Sequence, residues 1–160
     1  MISFDFIFKC LDNINKQYMK KTLKLKSNSK KSGGDYTHSH IVCVFLEMLN
    51  MVKLYHWKTH SFSTHKATDE LYTDMNSNVD EFVEVLLGKD GSRINLTNTK
   101  SIPLYDFNSI GPFKQKIAGL KTYLEKMSKC PSLMNNSDLL NIRDELLANL
   151  NKFTYLLTLK

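Results

Sequence analysis

Apolar residues return at three- and four-residue steps along most of this chain, the spacing that lines one face of an α-helix. From about Thr37 to Trp57 the stripe is Ile41, Phe45, Met48, Val52 and Tyr55. From about Ser63 to Leu87 it is Leu71, Met75, Val79, Phe82 and Leu86, and Gly88 and Gly91 end the pattern. A third helix opens near Pro112, a residue suited to a first helical turn. It carries Phe113, Ile117, Leu120, Leu124 and Met127 and is stopped by Pro131. Ser137 is the expected N-cap of a fourth, striped by Leu139, Ile142, Leu146, Leu150, Phe153 and Leu157. Ahead of these, Ile7, Leu11, Ile14 and Tyr18 share helical spacing, so residues 1–18 read either as a short amphipathic helix or as a poorly ordered leader.

The connections between the four patterns run short, long, short. The long one, Lys89 to Gly111, is polar, contains Asn95, Asn98 and Pro103, and has room for a short extended or helical piece over 95–107. No alternating β pattern competes. The expected class is all-α: a ferritin-like four-helix bundle of two helical hairpins, with a long crossover between helices two and three.

Composition adds a division. With 160 residues, 42% hydrophobic and 24% charged, the chain suits one globular domain. The formal net charge is +6, yet seven lysines (16, 20, 21, 24, 26, 30 and 31) fall between Lys16 and Gly34 with no acid among them. Setting those aside leaves the remainder near −1, so the basicity belongs to one segment. The expected organisation is an N-terminal leader and lysine-rich flexible arm over 1–36, then the bundle over 37–160. Cys10, Cys43 and Cys130 are odd in number and lack a CxxC pair, which argues against a disulfide framework and for a reducing compartment. No apolar run approaches the roughly 20 residues that span a bilayer, so no membrane partner is expected.

Candidate chemistry gathers where the first two helices meet. His56 closes the first; His65 and Asp69, then Asp80 and Glu84, repeat a four-residue spacing on the second. At about 100° per residue the last four fall in one arc of about 100°, expected beside the apolar stripe. Imidazole and carboxylate ligands with open positions suit iron, and zinc or manganese as well. A solvated, charged helix flank is the other reading of the same spacing.

The stretch Tyr55-His56-Trp57, Phe62-Ser63-Thr64-His65, Asp69-Glu70-Leu71-Tyr72 and Val79-Asp80-Glu81-Phe82-Val83-Glu84 resembles the Dps family, the DNA-binding miniferritins. The chain also lacks the Glu-x-x-His of larger ferritins. The resemblance implies a ferroxidase centre between two subunits, with His56, His65 and Asp69 from one chain and Asp80 and Glu84 from its two-fold mate. Ferrous iron would be oxidised there, typically by hydrogen peroxide, and the ferric product stored inside a homo-oligomeric shell of twelve subunits. Trp57 would lie beside the centre. One departure stands out: the connector Lys58 to Thr64 is shorter than the family's and has no glycine, which makes His60 an alternative to His56 as the first ligand. His38 and His40 have no family counterpart and are expected to face solvent.

In such proteins a lysine-rich extension binds DNA. Here Lys20, Lys21, Lys24, Lys26, Lys30 and Lys31 would do so without sequence preference, by releasing counterions from phosphates. A cytoplasmic or nucleoid-associated setting follows from the same likeness, or a virion if the source is a large DNA virus. A non-catalytic structural or DNA-packaging protein with a degraded metal site is the alternative, and an unrelated four-helix adaptor is a third.

Overall fold

The computed structural model describes residues 36–159, all-α among those residues; the leader and the lysine arm, residues 1–35, lie outside them. Four helices follow in order: α1, His38–Lys58; α2, Phe62–Gly88; α3, Ile110–Met127; α4, Ser137–Leu156. Among the described residues, no helix is long and apolar enough to cross a membrane.

Local chemistry sets the helix ends. The Thr37 hydroxyl accepts from the His40 amide at 3.3 Å and opens α1, and Ser61 does the same for Thr64 at the start of α2. After α2 the chain turns through Gly91, whose φ of 69° is open to glycine at little cost. Two expected starts move. Helix α3 begins at Ile110, so Pro112 is its third residue, still within the turn whose N–H groups have no helical partner. The N-cap of α4 is Asn136 rather than Ser137, and its side chain does not cap, because its amide donates to the Ser132 carbonyl at 2.8 Å. Asp138 supplies the negative charge in that first turn.

The predicted stripes form the core. Ile41, Phe45, Met75, Phe113, Leu146 and Leu150 have no exposed surface, whereas Leu157 is only partly buried. Aromatic rings knit the layers: Phe45 meets Phe82 edge-on at 5.2 Å, and Phe113 stacks on Tyr55 at 4.1 Å and meets Phe153 edge-on at 6.0 Å. From α4, the buried Arg143 donates to the Leu124 carbonyl at 2.8 Å and to Ser128 Oγ at 2.7 Å, satisfying a terminal carbonyl of α3.

Contacts along the helices give their directions. Going up α1, Tyr36 meets Tyr123, Glu47 meets Lys116 and Tyr55 meets Phe113, so α1 and α3 are antiparallel. Lys89 pairs with Asp138 and Glu70 with Lys152, so α2 and α4 are antiparallel too. The three-residue link after Lys58 turns α2 back along α1, so α2 and α3 run the same way and their connector must travel the length of the bundle. It does so along α1: Ser39 donates to the Asn95 carbonyl at 3.1 Å, and at the other end Lys58 holds both Asp106 oxygens at 2.7–2.8 Å. The nineteen-residue rise from Ser39 to Lys58 is about 28 Å, which the eleven steps from Asn95 to Asp106 can cover only when nearly extended. The crossover accordingly has no helix.

Phe113 packs against α1, α4 and the crossover residue Phe107. Phe113→Ala should destabilise the fold by about 3–5 kcal/mol, read as a lower urea midpoint.

Candidate metal centre

Helix α1 ends because the chain turns extended at Thr59, whose amide still donates to the Tyr55 carbonyl at 3.0 Å. Only Thr59, His60 and Ser61 separate α1 from α2. So tight a hairpin folds the first turns of α2 back onto the last turn of α1. His56 and His65 are thereby brought face to face, ring centroids 3.9 Å apart and planes 23° from parallel.

Their hydrogen bonds are reciprocal. His56 Nδ1 lies 3.0 Å from the His65 carbonyl, and His65 Nδ1 lies 3.0 Å from the His56 carbonyl. A carbonyl can only accept, so each Nδ1 carries the proton and donates. In the neutral rings this places the lone pair on both Nε2 atoms, the state a metal ligand needs. The fully buried Thr68 completes the arrangement. Its hydroxyl donates toward the Thr64 and His65 carbonyls at 2.8 and 2.9 Å, and its oxygen accepts from His56 Nδ1 at 3.3 Å.

Asp69 joins from the next turn of α2. Its Oδ1 is 3.8 Å from His56 Nε2 and 3.8 Å from Lys53 Nζ. Both gaps exceed a hydrogen bond. Two ligand atoms on one ion about 2.1 Å away lie about 3.0–3.4 Å apart, so a slight movement of this half-exposed carboxylate would let the pair share a cation.

The three-residue connector thus keeps His56 against His65, while His60 is exposed in the connector itself. Trp57 is 69% exposed beside the pair. Of the two histidines expected to face solvent, His40 is exposed, but His38 is half-buried and lies 4.0 Å from Asp90.

Asp80 and Glu84 are placed differently from expectation. Measured from the fully buried Met75, His65 is turned about 80° and Asp69 about 120°, whereas Asp80 is at about 140° and Glu84 at about 180°. Only His65 flanks the stripe; the three acids point outward and are exposed, so hydration removes any burial cost. Along the axis, Asp80 and Glu84 lie about 22 and 28 Å beyond His65. One chain cannot bring them to the histidines. Among the described residues no three His, Cys, Asp or Glu side chains gather as a metal-binding group, His56, His65 and Asp69 included.

Thr68 and Lys53 escaped the reading of the sequence. Thr68 occupies a core position of α2, and Lys53 lies one turn before His56 on α1; only the hairpin's closure gives either a role at the centre.

No curated protein and no solved structure significantly matches this chain. A model described as a family of unknown function (DUF5856) does match, over residues 56–157, a span that starts at His56 and takes in all five candidate ligands. That span is more than half of the chain, which therefore belongs to this family of unknown function.

Proposed function

We propose that this chain is a Dps-like miniferritin that binds ferrous iron between two subunits, oxidises it, and stores the ferric product. The observation that carries the reading is the reciprocal Nδ1–carbonyl pairing of His56 and His65, which keeps the ring protons on Nδ1 and sets His56 Nε2 3.8 Å from Asp69. Backbone carbonyls holding metal-binding imidazoles in one tautomer are a recurrent support for such ligands. The helix directions favour the same reading, since every neighbouring pair is antiparallel and the crossover runs the full length, as in ferritin-like bundles.

In this reading His56, His65 and Asp69 of one subunit face Asp80 and Glu84 of its two-fold mate. A two-fold contact is self-complementary, so one outward face of α2 supplies both halves and each dimer has two centres. Exposed Asp80 and Glu84 would then be buried together with cations that neutralise them. Two ferrous ions would each give one electron to hydrogen peroxide, which with two protons leaves as two waters. Iron is the substrate, and zinc or manganese would suit the same ligands. The lysine arm would hold DNA through phosphate contacts summed over many subunits.

Ferrous oxidation by peroxide, followed by absorbance, and particle mass by light scattering test this together. The parent should oxidise iron as a large homo-oligomer, and His65→Ala/Glu84→Ala should lose at least about tenfold in rate. A monomer, or a double variant as fast as the parent, would sink the proposal. Co-assembly of separate His65→Ala and Glu84→Ala chains should restore about a quarter of the parent rate, because only mixed dimers regain one intact centre. Thr68→Val should weaken metal binding by about tenfold in calorimetry, with helix content unchanged by circular dichroism. Deleting residues 1–34 should weaken DNA retention in a gel-shift assay and leave iron oxidation intact; equal retention would remove the arm's role.

A further inference from the structure

We infer that Lys53 is a built-in competitor for the cation position at Asp69, setting how readily a divalent metal enters; this rests on the centre proposed above. Lys53 Nζ and His56 Nε2 each lie 3.8 Å from the same Asp69 oxygen. The ammonium also sits 4.7 Å from the Tyr72 ring centroid and 5.8 Å from that of Trp57. One carboxylate and two aromatic faces thus surround a single positive charge, the environment that holds cations. The side chain is 30% exposed, so its head is neither sealed in nor fully hydrated.

A charged ammonium has three donors and no lone pair, so it cannot ligate a metal. It can only occupy the place or give it up. An ion about 2 Å from Asp69 Oδ1 would lie at most about 6 Å from Lys53 Nζ as placed here. Even in a water-like dielectric, a divalent and a monovalent charge at that distance repel by an amount worth about tenfold in affinity. Metal entry is therefore an exchange: the ion takes the carboxylate, and the lysine head swings along its flexible stem toward the rings or solvent. Without a metal the same lysine offsets the charge of Asp69 across 3.8 Å, so the carboxylate is partly neutralised before any iron arrives.

The test uses the full chain and Zn2+, which is redox-inert, titrated by calorimetry and by the fluorescence of Trp57, the one tryptophan in the sequence. Lys53→Met should bind Zn2+ about tenfold more tightly than the parent, and Lys53→Arg should stay within about twofold of it. In an Asp69→Asn background the Lys53→Met gain should shrink, since the part of the competition that runs through that carboxylate is lost and only the direct repulsion between ammonium and metal remains. Unchanged or weaker binding by a folded Lys53→Met protein overturns the inference, with Lys53→Gln standing in should the methionine variant misfold. Zn2+ binding by the parent that survives His56→Ala/His65→Ala overturns the underlying centre instead. A parent that binds no Zn2+ overturns both.

Discussion

Two imidazoles that each donate to the other's backbone govern the proposed chemistry. His56 ends one helix and His65 begins the next, and each ring satisfies a carbonyl of the opposing helix. The contact does two things at once. It ties the hairpin, and it assigns the proton of each ring to Nδ1, which is the condition for metal-ready nitrogens. Thr68 reinforces it from the buried side and Asp69 lies at its open side, so the centre passes from core to surface within about one helical turn.

The clasp itself is largely buried, with His56 only 7% exposed. Because α2 and α3 run in the same direction, the connector must traverse the molecule, and it is pinned along α1 by Ser39 and Lys58. The outward side of α2, carrying Asp69, Asp80 and Glu84, remains exposed. Geometry within one chain separates His65 from Glu84 by most of the length of that helix. A centre using all five residues is thus tied to a second copy, and assembly and chemistry become a single problem.

Much of this was legible in the residue pattern, and each exception has its own physical cause. Ile41, Phe45, Met75, Phe82 and Leu146 announced the buried faces because core burial and helical period are the same information. The pairing of His56 with His65 was also foreshadowed, since few residues separate them. The start of α4 was misplaced because Asn135, Asn136, Ser137 and Asp138 are four neighbouring residues of cap type, and the Asn136–Ser132 bond chooses among them through a fold the pattern does not contain. Glu84 lies nine residues from Met75, about 180° around the helix, so its outward direction is contained in the period once it is measured from the stripe and not from His65. Lys53 and Thr68 were invisible for a different reason: their partners lie across the hairpin.

The three-residue connector between α1 and α2 has a consequence for how this segment can change over time. His60 bears on the clasp only through the distance it spans, whereas the Thr59 hydroxyl accepts from the Ser61 amide at 3.2 Å and Ser61 caps α2. The composition at 60 is therefore open to drift, but the count is not. One inserted residue would rotate the entry of α2 and separate the rings, even with every candidate ligand still in the sequence. The heritable constraint on this hairpin is a length.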